Sequence, residues 1–350
     1  MHTNPTTKFI YLVKEYSVEE LMDIPNAPEW LVHIQIQLQH VLNEQEEISF
    51  QTSGSTGDAK RIWLKKSVLL ASAQKTLDFF KLSEGHTAAL ILPAQFIGGA
   101  MLLVRSLIGG LQLHLHEQGL CPMGVTSVDF ISCTPAQFLA LSRAKQFVDF
   151  QGTILLGGSS LPEGIHLKKL NVYVGYGMTE TASHVALRSI HDDHYTAMEG
   201  VTFSEREGAL VIDAPHLEIH NMITKDEIEL IDKTSFRFIG RLDDAINSGG
   251  LKIQPLEIEQ YFSREGLEVY ISSIPHEEFG EAVVLVAQSK MSKEMLEQIL
   301  KDLPKNKRPK FQLNVQEYPQ VSNGKIDRKS IRSLVKESQH LLSPLLLMLE

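Results

Sequence analysis

Gln51-Thr52-Ser53-Gly54-Ser55-Thr56-Gly57-Asp58-Ala59-Lys60 places two glycines, four hydroxyl side chains and a lysine within ten residues. The preceding Glu47-Ile48-Ser49-Phe50 alternates as a strand does, and a helical pattern begins at Lys65. A glycine- and hydroxyl-rich loop leaving a strand can turn backbone N–H groups, hydroxyls and one ammonium onto a phosphate chain. The stretch therefore reads as a nucleotide-phosphate loop. It is not a Walker loop, which requires G-x-x-x-x-G-K-[ST]; here Ala59 precedes Lys60 and Arg61 follows it. Taken alone, the same composition also describes a flexible turn, so its surroundings decide.

Those surroundings alternate. Strand-like runs at Ile48–Gln51, Thr87–Leu92, Leu111–His116, Asp129–Ser132, Thr153–Leu156 and Asn171–Gly175 are separated by helical ones such as Lys65–Phe80, Gly98–Leu107 and Pro135–Ala144. This predicts an α/β domain with a mostly parallel sheet. Ligands in such folds gather at the carboxyl ends of the strands, where four loops fall: Thr52–Lys60, Pro93–Gly99, Gly157–Ser160 and Tyr176–Thr181. The second leads into an apolar helix carrying Arg105. A buried arginine is costly unless it meets an anion; one that snorkels to the surface is not. The last loop offers an aromatic ring at Tyr176, a hydroxyl at Thr179 and a carboxylate at Glu180 suited to Mg²⁺, although for this string alone a core-packed Tyr176 and a solvated Glu180 are the simpler reading.

The chain of 350 residues is long for one core and suggests two domains. A formal charge of −10 argues against bulk nucleic-acid or anionic-membrane binding. Cys121 and Cys133 cannot form a disulfide framework, which fits a reducing cytoplasm. Met1–Pro5 lacks the basic start of a signal peptide, and the apolar run Ile97–Ile108 is too short to span a bilayer. His191-Asp192-Asp193-His194 is read as a solvated loop rather than a metal site. Gly, Ser and charge concentrate from Gly240 to Ile253. The domain boundary is placed there, giving a large domain over 1–242 and a small α+β domain over 243–350. Near its end, Lys325 sits in an Asn-Gly turn whose tip can reach a cleft.

In order along the chain, Thr52–Lys60, Tyr176–Thr181, Gly240–Ile253 and Asn323–Arg328 resemble motifs of the adenylate-forming superfamily of acyl-CoA synthetases, peptide-synthetase adenylation domains and luciferases. The resemblance implies ATP, Mg²⁺ and CoA as ligands, a small-molecule carboxylic acid as substrate, and a mobile C-terminal domain. It assigns Thr52, Ser53, Gly54, Ser55, Thr56, Gly57 and Lys60 to the β- and γ-phosphates, and Gly157, Gly158, Ser159, Tyr176 and Gly177 to the nucleotide. Thr179 corresponds to the α-phosphate contact, Glu180 to the Mg²⁺ ligand, and Lys325 to the lysine that bridges carboxylate and α-phosphate. Thr224-Lys225-Asp226 stands where the family has Thr-Gly-Asp, so Asp226 with Arg241 would hold the ribose. Lys225 departs from that pattern. Asp243 matches the hinge, while Gly249, Gly250 and Lys252 match the loop of the thioester step. Phe96 falls near the acyl pocket. The segment before Thr52 is shorter than is usual in the family, and this compact form is most similar to short o-succinylbenzoate–CoA ligases of menaquinone synthesis. For such a substrate Arg105 would meet the second carboxylate. Ligation of another aryl or medium-size acid, or loading of a carrier protein, follows from the same motifs. Nothing in the sequence excludes a homo-oligomer.

Overall fold

The computed structural model describes residues 3–51, 60–122, 125, 127–158, 170–320 and 326–345. The chain opens with a hairpin, β1 (Lys8–Tyr11) and β2 (Lys14–Tyr16), then α1 (Val18–Met22) and α2 (Glu29–Leu42). Ser17 starts α1 with a reciprocal cap, its hydroxyl taking the Glu20 N–H while the Glu20 carboxylate takes the Ser17 N–H. Next come β3 (Glu47–Gln51), β4 (Arg61–Lys65) and α3 (Lys66–Phe80). The alternating region follows: β5 (Thr87–Leu90), α4 (Ile97–Gly109), β6 (Gln112–Leu115), β7 (Phe130–Cys133), α5 (Pro135–Arg143), β8 (Thr153–Leu156) and β9 (Asn171–Gly177). A run of strands succeeds it: β10 (His184–Ser189), β11 (Tyr195–Ala197), β12 (Thr202–Arg206), β13 (Ala209–Ala214), β14 (Ile219–Asp232) and β15 (Ser235–Arg241).

These strands, without β3 and β4, form one 13-stranded sheet in the order β12-β13-β14-β15-β11-β10-β9-β8-β7-β5-β6-β1-β2. From β9 across to β1 every pairing is parallel. The inner strands β5, β7 and β8 are buried on both faces. Ala88, Phe130 and Leu155 point into one hydrophobic cluster, and Ala89, Ile131 and Ile154 into the other, as strand alternation requires. Each such fully buried Leu, Ile or Phe side chain is worth about 1.5–3 kcal/mol. Beyond β9 the sheet continues antiparallel through β15 and back to β12.

β3 departs from the expected sheet. It pairs only with β4, in a separate antiparallel hairpin with Gln51 opposite Arg61. Its Glu47 and Gln51 are exposed and only Ile48 and Phe50 are buried, so it has a single apolar face and cannot sit inside a sheet covered on both sides.

After Arg241 come β16 (Ile246–Ser248), β17 (Leu251–Ile253), α6 (Pro255–Arg264), β18 (Tyr270–His276), β19 (Gly280–Ala287), α7 (Lys293–Ile299), β20 (Phe311–Asn314), α8 (Arg328–Glu337) and β21 (Ser343–Pro344). Here β16 to β21 form a second sheet. On β19, Val283, Leu285 and Ala287 face α6 and α7, while Ala282, Val284 and Val286 face α8. The first pair of hydrophobic clusters ends at Phe238 and the second begins at Ile246. The two lobes thus have separate cores. No helix among the described residues is long and apolar enough to cross a membrane.

Candidate active site

The carboxyl end of β9 runs into a tight 3₁₀ turn at Thr179–Thr181. Buried Thr181 holds the turn: its hydroxyl oxygen accepts from the Met178 N–H at 3.0 Å and the hydroxyl donates to the Ser183 carbonyl at 2.6 Å. Gly177 is required, because a Cβ there would stand 2.1 Å from the Ser183 carbonyl oxygen. The turn leaves Thr179 half-buried and Glu180 exposed, at the edge where parallel strands end. β4 lies against this turn, bringing Lys60, just before β4, to the same side. Gly157 and Gly158 follow the neighbouring β8 directly. Residues 52–57, Ser159 and Lys325 lie outside the described residues.

Tyr176 is buried among Tyr195, Phe236 and Phe238. Its hydroxyl donates to Asp226 Oδ2 at 2.5 Å. Asp226 and Arg241 are cross-strand partners on β14 and β15, and Arg241 Nη1 lies 3.2 Å from Asp226 Oδ1. Burial raises the Asp226 pKa, and the bonds to Tyr176 and Arg241 only partly oppose this. Arg241 also reaches both oxygens of Asp243, at 3.1 and 3.2 Å. Burial works against the charged form of Asp243, but Arg241 and Lys225 outweigh it and its pKa is lowered. Lys225, the departure from the Thr-Gly-Asp pattern, meets Asp243 Oδ2 at 3.3 Å, the same carboxylate that Arg241 reaches.

Arg105 does not snorkel. It is 2% exposed on α4 and meets no carboxylate among the described residues. Nη2 donates to Ser183 Oγ at 2.7 Å and Nε has no partner among the described residues. Burial lowers its pKa to about 9. A directional chain leads away from it. Ser183, accepting from Arg105, donates to His184 Nδ1 at 3.2 Å, and His184 Nε2–H faces Thr76 Oγ1 at 3.3 Å. The Thr76 hydroxyl donates to the Ser72 carbonyl at 3.1 Å on α3. Burial first, and the Arg105 charge second, push the His184 pKa well below its usual value, so the ring is neutral. Phe96, half-buried, precedes the first turn of the helix that carries Arg105.

In the small lobe, the backbone N–H of Gly249 donates to the Phe279 carbonyl at 2.8 Å, and Gly250 has open space beside it. Lys252 meets Glu227 on β14 at 2.8 Å, the residue next to Asp226. Arg332 holds the connection itself, 3.4 Å from both the Asp243 carbonyl and Asp244 Oδ1. In the basic run Lys305-Asn306-Lys307-Arg308-Pro309-Lys310, Lys307 pairs with both oxygens of Glu257 at 2.8 and 3.0 Å, and Arg308 donates to the Leu303 and Lys301 carbonyls. His194 and Asp193 pair with one another and Asp193 with Arg237, on the surface. No group of three or more His, Cys, Asp or Glu among the described residues is placed to hold a metal ion.

Tyr176, Asp226 and Arg241 thus come together, and Ser183 ties Arg105 to the turn of Thr179 and Glu180. Gly249, Gly250 and Lys252 stand apart from them. Ser183, His184 and Glu227 carried no motif of their own; adjacency to a recognised string was their sole signal.

A mixed sheet with a strand-end turn of this kind, a buried aspartate–arginine pair beside it and a separate C-terminal lobe define an adenylate-forming enzyme. Residues 38–218, slightly more than half of the chain, match the family of AMP-binding enzymes, and the chain belongs to that family. It is 26% identical over 317 residues to the 2-succinylbenzoate–CoA ligase of Escherichia coli K12, covering 82% of this chain and 69% of that protein. To the 2-succinylbenzoate–CoA ligase of Bacillus cereus it is 25% identical over 373 residues, covering 93% and 77%. Among solved structures it is similar to an AMP-forming acyl-CoA synthetase/AMP-acid ligase II-like protein from Dyadobacter fermentans, with TM-score 0.59, 26% identity and coverage of 90% and 97%. It shares the fold of the o-succinylbenzoate–CoA synthetase of Bacillus subtilis solved with its acyl-adenylate intermediate, with TM-score 0.69, 22% identity and coverage of 82% and 69%.

Proposed function

We propose that this chain is an ATP-dependent 2-succinylbenzoate–CoA ligase, a step of menaquinone biosynthesis. The observation that carries the substrate is Arg105. A buried guanidinium facing no carboxylate among the described residues is a charge that costs several kcal/mol, and a substrate with a second carboxylate would offset it. Its unpartnered Nε is a donor still open to that group.

In the first half-reaction the reacting carboxylate attacks the α-phosphorus of ATP and pyrophosphate leaves. The carboxylate is already ionised, so no general base is needed. Thr52–Gly57 and Lys60 grip the departing phosphates, Thr179 orients the α-phosphate, and Lys325 neutralises the charge that builds between carboxylate and phosphorus. Asp226 and Arg241 receive the ribose, and Gly157, Gly158, Ser159, Tyr176 and Gly177 border the adenine. Phe96 borders the acyl group. Mg²⁺ typically takes one or two carboxylates and completes its shell with water and phosphate oxygens; exposed Glu180 fits that donor set without a protein cluster and would hold the ion, which when bound would supply screening of the pyrophosphate charge. In the second half-reaction the CoA thiol displaces AMP. The lobes 1–242 and 243–350 turn about Asp243 between the two, exchanging Lys325 for the Gly249–Lys252 loop.

Pyrophosphate release measured with a panel of acids, with and without CoA, tests the reading. 2-Succinylbenzoate should be preferred over its monoester and over benzoate, and acyl-CoA should form. Preference for monocarboxylates would refute the substrate; adenylate without thioester from free CoA would refute the ligase and favour a carrier protein as acceptor.

A further inference from the structure

Strand alternation divides neighbouring residues of β14 between two tasks. Asp226 turns toward Tyr176 and Arg241, while Glu227 turns toward the small lobe. There Glu227 Oε1 accepts from Lys252 Nζ at 2.8 Å, and Oε2 accepts from Gln254 Nε2. Gln254 is buried and lies directly over Gly240, the residue opposite Glu227 on β15. A Cβ at Gly240 would stand 2.4 Å from Gln254 Oε1, so glycine lets the small lobe approach this closely. The hydrophobic clusters of the two lobes share no residue. An interface held by polar contacts separates more readily than an apolar one.

We propose that Glu227 is a positioning residue. By holding Lys252 and Gln254 on the strand that carries Asp226, it sets the balance between this lobe arrangement and one in which Lys252 is released toward the cleft. The kinetic consequence rests on the two-step reading above; the lobe balance rests on the contacts alone.

The test uses the full chain with spin labels on exposed Lys233→Cys in the large lobe and exposed Lys290→Cys in the small one. Cys121→Ser removes the half-exposed native thiol, and buried Cys133 stays. The distance distribution is read for the parent, for Glu227→Gln, which keeps the shape and removes the charge, and for the charge swap Glu227→Lys/Lys252→Glu. A partly exposed ion pair shifts an equilibrium by up to about fivefold. Glu227→Gln should therefore enlarge a second distance population by about that factor, and the swap should restore the parental distribution. In the half-reactions, Glu227→Gln should slow pyrophosphate release and spare thioester formation from supplied acyl-adenylate. An unchanged distribution in Glu227→Gln, or a shift that the swap does not reverse, overturns the proposal. If the distributions behave as expected but the parent forms no thioester, the positioning role stands and the ligase reading fails.

Discussion

Ser183 Oγ lies 2.7 Å from Nη2 of Arg105, and that hydroxyl is the one hydrogen-bond partner the described residues give a guanidinium that is 2% exposed. Replacing a buried ion pair by well-packed apolar side chains is often neutral or stabilising by about 1–4 kcal/mol, and Arg105 has no carboxylate partner among the described residues to be left behind. Arg105→Met should accordingly unfold at the same or a higher temperature than the parent, although it loses the preference for a dicarboxylate. KM for 2-succinylbenzoate should rise by about tenfold or more, that for benzoate far less, in keeping with about 1.5–3 kcal/mol for a bond to a charged group. Thermal melting and KM measured together separate this outcome from a folding defect.

The same group predicts a pH profile. Its pKa is lowered to about 9 by burial, so the guanidinium is charged at neutral pH and the dicarboxylate preference is flat there. Because the cation is the form that burial disfavours, its cost to the folded state is present below that value and relieved as pH rises through it. Preference for the dicarboxylate should therefore fall as pH passes about 9, while the acid-free protein does not lose stability from this group. A preference that rose across that range would contradict the role.

Ser183→Ala would leave Arg105 Nη2 without its acceptor and His184 Nδ1 without its donor. A buried polar group stripped of its partner costs about 1–3 kcal/mol. The variant should be less stable than the parent, in contrast to Arg105→Met, and bind the dicarboxylate more weakly. Chemical denaturation of both variants checks this opposition in sign.

How far the chain could be read in advance depended on how local each signal was. The parallel strands β5 to β9 are short apolar runs, and the Tyr176–Thr181 turn is a contiguous string, so both were legible. The antiparallel strands from β10 to β15 were not, because residues such as Asp226 and Glu227 interrupt the apolar pattern at the middle of β14, where one faces the site and the other the small lobe. Arg105 was legible as an oddity on an apolar helix. Its link to Ser183 joins residues 78 apart in sequence, and no spacing rule announces such a pair. Lys307 and Arg308 belong to a basic run of sequence, yet Glu257 and the backbone carbonyls of Leu303 and Lys301 take them up. Composition cannot show that.

Tyr176→Phe removes the hydroxyl that donates to Asp226 and leaves the ring packing among Tyr195 and Phe236 intact. A hydrogen bond to a carboxylate is worth about 1.5–3 kcal/mol. With that donor gone, Asp226 should be held less firmly for the ribose, and KM for ATP should rise several-fold. Asp226→Asn removes the charge that Arg241 pairs with and should raise it further. Since both act on one network, the double variant should lose less than the sum of the two. A strictly additive result, measured as KM for ATP, would mean that Tyr176 acts on the nucleotide independently of Asp226.

Lys325 lies in sequence beyond Arg241, and Thr179 and Glu180 before it, so the roles proposed for them can be divided by half-reaction. The first transition state gathers negative charge at the α-phosphate, and removing one positioned cation there costs about 10²–10³ in rate. The second transfers an acyl group from the finished adenylate to a thiol and has no need of that cation. Lys325→Ala should therefore lower pyrophosphate release by that factor while sparing thioester formation from supplied acyl-adenylate. Lys252→Ala should lower thioester formation far more than pyrophosphate release, because Lys252 belongs to the loop assigned to the thiol step; losing its pair with Glu227 should slow pyrophosphate release by no more than about fivefold. Equal loss in both half-reactions for either lysine would contradict an exchange of the two at one site.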